Sequence, residues 1–348
     1  MDKKMHFPHT DPPEIGKAIE VAEGILWMRL PLPMALNHVN VYAIRENYLN
    51  EDGWTLIDTG FDTKKSRLIW EGLLKGPLLG LPIKRIIITH HHPDHIGLAG
   101  WFKTKYKAEI WASRTTWLFA RMMTLDHNLK PTKETLEFYQ AAGMEQNLYN
   151  ERSKTTPFNF SDVVTHIPLG FQRIQQDDIL QIGTRKWSVH MGHGHSPEHA
   201  TFWSKEDDLV IAGDQILPSI SPNLGVYATE PNADPVGEWL ESCERLLSHS
   251  NDQNFVLPGH KLPFYGLPKR LKQLIENHHS ALTRLLEFLK TPKTAVECFE
   301  PLFKRQIGSS EYGLALVESV GHLNHLLKAG KINRQRQRDG AWLWQTLD

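Results

Sequence analysis

The chain has 348 residues, enough for two ordinary domains or one large domain with insertions. With 40% hydrophobic and 23% charged residues it is an ordinary globular chain able to bury a sizeable core. Its 39 basic and 40 acidic residues leave a formal net charge of −1, which excludes a general electrostatic pull toward nucleic acid or an anionic membrane.

Residues 1–20, with Pro8, Pro12 and Pro13, read as a flexible lead-in. They contain no apolar run, so they read as neither a secretory signal nor a membrane anchor. Strands are expected at Gly24–Arg29, His38–Ile44 and Trp54–Ile57, the last running into the turn Asp58-Thr59-Gly60. Asp62 is placed to cap a helix toward Leu74, with Gly76 as its stop. Lys84–Thr89 is a short β-branched run suited to a buried strand. A helix near Leu98–Tyr106 and a strand at Ala108–Ala112 follow. Residues 113–165 read as a helical insertion; Trp117, Leu118, Phe119, Met122 and Met123 in one stretch, with Phe138, Tyr139 and Met144 further on, suggest an apolar cap. Plain helix-to-core packing explains the same side chains. Strand alternation returns at Ile174–His190, then at Asp208–Ala212 and Phe255–Leu257, with a helix starting at Asp234-Pro235 between them.

Beyond residue 265 the composition turns helical. Pro268–Lys290 carries a spaced apolar row, Thr294 and Glu297 form a capping-box pattern before a further helix, and Ser310–Ala329 is a third. Lys331–Gln337 and Ala341–Gln345 around Asp339-Gly340 read as a hairpin. The division expected is therefore a lead-in (1–20), a principal domain (21–265) and a helical, winged-helix-like domain (266–348). Cys243 and Cys298 stand alone, which gives no disulfide framework and makes a reducing cytoplasm the expected location. No stretch approaches the roughly 20 apolar residues of a spanning helix.

The chemistry concentrates in His90-His91-His92-Pro93-Asp94-His95. After a strand, the alternating His90 and His92 turn toward one point, His91 turns away, and Asp94 and His95 lie on the turn into the next helix. Isolated histidines usually decorate surface loops. Four histidines and an aspartate within six positions, between a buried strand and a helix, are a ligand set of the type borderline metals accept.

His90-x-His92-x-Asp94-His95 resembles the HxHxDH signature of the metallo-β-lactamase-fold hydrolases. Gly194-His195-Ser196-Pro197-Glu198-His199 resembles their GHTPGH element, Ala212-Gly213-Asp214 their strand-end Gly-Asp, Pro258-Gly259-His260 their terminal Pro-Gly-His, and Leu56-Ile57-Asp58-Thr59-Gly60 their early LIDTG segment. The resemblance spans about residues 20–265 apart from the insertion. It implies a four-layer αββα sandwich, an α/β fold, with a glyoxalase II-like metal site. His90, His92 and His195 would hold a first divalent metal ion, and Asp94, His95 and His260 a second. Asp214 would bridge them. The ions expected are zinc, with iron or manganese as alternatives. A hydroxide between the metals would attack the substrate, with Asp94 orienting it. Asp58 would accept a hydrogen bond from a ligand histidine, or else cap a turn. His193 competes with His195; Ser-Pro-x-His after His195 decides for the latter. His199, the pair His278-His279, and His322 with His325 read as supporting, core or solvated histidines.

Two departures narrow the reading. Glutamate at position 92 would resemble the diiron oxygen-reducing branch, and cysteine at 214 the secreted zinc β-lactamases; histidine and aspartate stand there instead. The C-terminal region resembles the winged-helix appendage of the branch that includes the mammalian β-lactamase-like protein 2. Its hairpin carries Lys331, Arg334, Arg336 and Arg338, yet the helix in the recognition position has two glutamates and one lysine, a poor surface for phosphates. A small-molecule substrate is therefore expected: an ester, thioester or lactone of a metabolite. The alternatives are a nuclease acting on RNA or DNA phosphodiesters, and a mononuclear iron, persulfide dioxygenase-like enzyme using His90, His195 and Asp214. No membrane partner is expected, and the oligomeric state is left open.

Overall fold

The computed structural model describes residues 5–347; residues 1–4 of the expected lead-in lie outside them. Seven strands form a first sheet in chain order: β1 (Ile19–Ala22), β2 (Ile25–Pro31), β3 (His38–Tyr48), β4 (Glu51–Ile57), β5 (Ile83–Ile87), β6 (Glu109–Ala112) and β7 (Gln172–Arg173). β1 to β4 are antiparallel neighbours, whereas β4, β5, β6 and β7 run parallel. A second sheet holds β8 (Ile179–Ile182), β9 (Arg185–Gly192), β10 (His199–Ser204), β11 (Leu209–Gly213), β12 (Phe255–Pro258) and β13 (Phe264–Tyr265), again in chain order. Within it only β11 and β12 pair parallel.

The period-two alternation of the strands sends their side chains into two cores. Trp27, Tyr42, Ile44 and Ile87 of the first sheet meet Trp187, Val189, Phe202 and Leu257 of the second. Val39, Val41, Leu56 and Ile86 face the other way. There they pack under α1 (Lys64–Lys75), α3 (Ala99–Tyr106) and α4 (Arg114–Leu125), through Trp70, Leu73, Phe102 and Ala120; the one-turn helix α2 (Pro93–Ile96) precedes α3. Strands buried on both faces explain why KRIIIT reads as an unbroken apolar run. The class is thus the mixed α/β sandwich that the motifs implied. The first described residues are held too: His6 bridges Tyr265, and His9 meets Trp27 edge-on and stacks on Phe255.

The chain divides into two compact units. The first comprises the described residues up to His127, with Asn159–Pro222 and Leu246–Arg270; the second comprises Asn128–Phe158, Asn223–Arg245 and the described residues from Leu271. The chain therefore passes between the units several times, where the sequence suggested one passage near residue 265. The insertion is itself divided: α4 lies in the first unit, while α5 (Lys133–Ala141) and α6 (Gln146–Arg152) lie in the second. Helices α7 (Pro235–His249) and α8 (Leu267–Phe288) have residues in both; α9 (Phe299–Phe303), α10 (Tyr312–Lys328) and the hairpin β14 (Ile332–Arg336) with β15 (Trp342–Thr346) complete the second. Lys293 pairs with Trp344 as an isolated bridge, so the hairpin has a short third partner.

Two local readings are corrected. Thr63, not Asp62, caps α1, its side chain accepting from Ser66 N, because Asp62 is engaged in a two-point ion pair with Arg67. The Thr294–Glu297 box does close, but on a turn; α9 begins only at Phe299. The cysteines are both free and buried. Among the described residues no helix is long and apolar enough to cross a membrane.

Trp70 links this core to the functional end of the sheet. Its ring is fully buried and its Nε1 donates to Thr59 O at 2.8 Å, beside Asp58. Trp70→Ala removes a large ring and orphans that carbonyl, and is expected to cost about 3–5 kcal/mol, read as a lower midpoint in urea. An unchanged midpoint would mean that the turn does not lean on α1.

Candidate metal centre

The histidine loop follows β5. His92 is extended (φ −61°, ψ 146°) and Pro93 occupies the first turn of α2, where its missing N–H costs nothing. Asp94 and His95 then share one helical turn. His195 lies on the loop joining β9 to β10, and Asp214 and His260 directly follow the parallel strands β11 and β12. The candidate residues thus come from the ends of strands in both sheets, held by cores on either side.

The structure brings all seven expected ligands together. The rings of His90, His92 and His195 lie 4.4–5.0 Å apart, centroid to centroid. Asp214 Oδ2 is 3.1 Å from His260 Nε2, 3.4 Å from His95 Nε2 and 3.7 Å from His195 Nε2. Asp94 Oδ2 is 3.3 Å from His260 Nε2 and 3.6 Å from His95 Nε2. Three sets emerge: His90, His92, His195; Asp94, His95, His260; and His90, His95, Asp214. In each, one donor atom per residue lies within 4.8 Å of the others. Gly259 is required for this approach: a Cβ there would sit 2.2 Å from Asp214 Oδ1.

Asp58 organises the histidines from behind. It sits at φ 61°, a left-handed conformation that aspartate tolerates. Its Oδ1 accepts from Thr89 N at 2.8 Å, and its Oδ2 accepts from Thr89 Oγ1 at 2.8 Å and from His95 Nδ1 at 2.7 Å. Because Thr89 has spent its hydroxyl proton on Asp58, it can only accept from His90 Nδ1, 3.0 Å away. His260 Nδ1 in turn donates to His38 O at 2.7 Å. All three rings therefore carry a proton on Nδ1 and turn Nε2 to the centre. β3 fixes the last of them: Asn40 Nδ2 donates to Pro258 O and Lys261 O, and Tyr42 Oη donates to Pro258 O.

Charge is divided accordingly. Burial penalises a charge on His95, but Asp214, Asp94 and Asp58 outweigh it and hold its pKa well above the ordinary histidine value. His260 is likewise raised to about 9, against burial, by Asp214 and Asp94. Burial and neighbouring imidazoles push His90 and His92 well down. Burial alone would raise Asp214; His260 and His95 hold it well below the carboxylate range. The carboxylate centre thus demands positive charge, a proton or a cation in its place. His90 Nε2, His95 Nε2 and Asp214 Oδ1 are buried with no hydrogen-bond partner among the described residues. Such groups are costly unless satisfied, and a divalent cation at their focus satisfies all three. The donor set fits a metal.

The neighbouring histidines stay out of the donor sets. His91 Nδ1 pairs with Ser196 Oγ at 2.8 Å, and His193 Nδ1 accepts from Glu198 N at 3.4 Å. His199 Nε2 accepts from Asp214 N at 3.1 Å and its ring stacks on His90. In the second unit the buried His278 and His322 pair with each other at 3.1 Å, while His325 meets Asp234 at 3.0 Å. Thr89, His38 and Asn40 escape a reading of the sequence, since nothing marks such a residue as partner to a turn 31 positions away, for Thr89, or to a loop more than 200 positions away, for His38 and Asn40.

Comparison with known proteins agrees with this geometry. Residues 35–260 match the family described as Metallo-beta-lactamase superfamily, and residues 282–347 match "Metallo-beta-lactamase-like, C-terminal domain". The chain is 24% identical to the Probable metallo-hydrolase YqjP of Bacillus subtilis over 87% of this chain and 92% of that one. A solved β-lactamase domain protein from Burkholderia ambifaria superposes with a TM-score of 0.91 at 32% identity, covering 99% of this chain and 98% of its own. A metallo-β-lactamase family protein from Thermus thermophilus gives 0.76 at 25% identity over 94% and 100%.

Proposed function

The chain belongs to the metallo-β-lactamase superfamily and is a metal-dependent hydrolase; on that basis we propose that it holds two divalent ions, zinc in the first instance, and cleaves an ester, thioester or lactone of a small metabolite. The observation that carries this is the pair of separate triads about Asp214. A single-ion, iron-dependent oxidation would need only His90, His195 and Asp214, whereas here Asp94, His95 and His260 also converge within the same limit as His90, His92 and His195. His90, His92 and His195 would hold one ion, Asp94, His95 and His260 the other, with Asp214 between. Bound there, the ions lower the pKa of water from about 15.7 toward 7 and polarise the scissile carbonyl.

The chain's own groups do the rest. Asp94, less buried than Asp214, is placed to accept a proton from the attacking water and orient it. Asp58 and Thr89 keep the ligand imidazoles in one tautomer. Substrate class is argued from α4: the Phe119 ring lies 5.1 Å from that of His91, tilted against it, and Leu118, Met122 and Leu125 stand exposed on the same helix. An apolar helix that touches the histidine loop through Phe119 favours a substrate with an acyl or other apolar part.

Nucleic acid is the weaker reading. α10 is buried around most of its circumference, as a helix seated in a groove is not. In the hairpin, Arg334 lies 4.3 Å over Trp342 and 5.0 Å over Trp344 and donates to Asn232, while Arg336 donates to Gly340 O. The winged-helix-like element is accordingly assigned a packing role, and the enzyme a cytoplasmic, small-molecule setting.

Stripping the metal with dipicolinate is expected to abolish hydrolysis of p-nitrophenyl and acyl-thioester probes, by more than about a hundredfold, with recovery on adding zinc. Elemental analysis should find about two ions per chain, the full complement of the two triads. One tightly held iron with oxygen consumption, or tight salt-sensitive RNA binding with RNA cleavage, would overturn the reading.

A further inference from the structure

We propose that Glu198 is a positioning residue: it ties the loop bearing His195 to the first turn of α4, and so fixes Phe119 of α4 beside the histidine loop. The backbone of Glu198 is left-handed, with φ +49°. That conformation favours glycine, which stands here in the GHTPGH element, and any other residue adopts it at a cost. A side chain kept in such a place should be supplying something glycine cannot.

What it supplies is a helix cap from another part of the chain. The first N–H groups of a helix have no partner within it. In α4, Ser113 Oγ accepts from Thr116 N at 3.1 Å, and Glu198 Oε2 accepts from Thr115 N at 2.8 Å. A carboxylate at a helix N-terminus also gains from the helix dipole. The other end of Glu198 is fixed to its own loop, its N–H directed at His193 Nδ1. The circuit closes through the metal-site loops. α4 carries Phe119, Phe119 packs against His91 with its ring tilted, and His91 Nδ1 pairs with Ser196 Oγ, two residues before Glu198. Ser196 is fully buried and His91 nearly so, which holds the circuit rigid. Without the carboxylate, the cap of α4 falls to Ser113 alone.

The test compares Glu198→Gly with Glu198→Gln by hydrogen–deuterium exchange, metal analysis and thermal unfolding. Glycine accepts the left-handed backbone more readily than glutamate, so the first variant folds. Its amides at 115–119 should exchange roughly five- to thirtyfold faster, the factor of a lost cap, while metal content stays at the wild-type level. Glutamine keeps an acceptor oxygen and should restore protection to within about twofold. Unchanged exchange in the glycine variant, or metal loss in place of faster exchange, would overturn the proposal. A second readout rests on the ester reading: KM for p-nitrophenyl octanoate should rise several-fold in Glu198→Gly with kcat held, and p-nitrophenyl acetate should be unaffected. Absence of esterase activity in the wild type would count against that reading, while the exchange result would still decide the role of Glu198.

Discussion

Replacing Asp214 by alanine is expected to reduce bound metal from about two ions to fewer than one and hydrolytic activity by at least about a thousandfold. Asp214 is the one carboxylate shared between the clusters: its Oδ2 faces His95, His195 and His260 within 3.7 Å. On the two-ion reading, its removal would take an anionic donor from both triads. It also takes away the charge that makes the centre favour a cation, since Asp214 is the chief source of the raised pKa values of His95 and His260. Asp214→Asn is the informative control. It keeps the volume and the backbone bond from Asp214 N to His199, but offers a neutral oxygen in place of an anionic one. Asparagine should retain the fold and lose most of the second ion. The measurements are elemental analysis after gel filtration and turnover of the probe that the wild type accepts. Two ions and full turnover in the alanine variant would remove Asp214 from the centre.

The second large effect is expected at Asp58, which touches no candidate ion. It is buried at 2% exposure and accepts three hydrogen bonds, from Thr89 N, Thr89 Oγ1 and His95 Nδ1. Asp58→Ala orphans these donors at about 1–3 kcal/mol for each buried group left unsatisfied, so stability should fall clearly. Metal affinity and activity should fall about 10- to 100-fold, because His95, and His90 through Thr89, lose the acceptor that fixes their tautomer. Asp58→Asn separates the two effects. Its amide oxygen can still receive Thr89 N, which restores much of the stability. Its amide nitrogen, however, faces His95 Nδ1 as a donor and drives the ring to the tautomer with its proton on Nε2, where a metal needs a lone pair. The asparagine variant should therefore bind metal almost as poorly as alanine while unfolding later. Competition with a chelating dye measures the first and urea denaturation the second; wild-type metal affinity in Asp58→Asn would refute the relay.

Much of this centre was legible before any coordinates. Ligand chemistry admits few residue types, and short spacings such as His90-x-His92-x-Asp94-His95 survive folding because neighbours in sequence remain neighbours in space. Strand-end residues Asp214 and His260 were legible for the same reason: each directly follows a short β-branched or apolar run with a glycine beside it. The preference for His195 over His193 rested on the following Ser-Pro-x-His, and it is His195 that joins a donor triad.

Other features belong to the tertiary structure. The link from Asp58 to Thr89, which orients His90, spans 31 residues, and the hold of β3 on the Pro258-Gly259-His260 loop spans more than 200; no local periodicity encodes either. Thr63 displaced Asp62 as a cap because a nearby arginine competed for the carboxylate, and the Thr294–Glu297 box stopped at a turn; both outcomes depend on partners outside the motif. The split of the insertion between two units, and the capping of α4 by a glutamate 83 residues later, are decided by which surfaces meet. The sequence by itself determined the kind of chemistry and the candidate ligands for it, because coordination constrains residue identity and close spacing. The tautomers, the charge balance and the place of α4 against His91 were decided only by folding, because each depends on long-range neighbours whose hydrogen bonds and burial exist in the packed state alone.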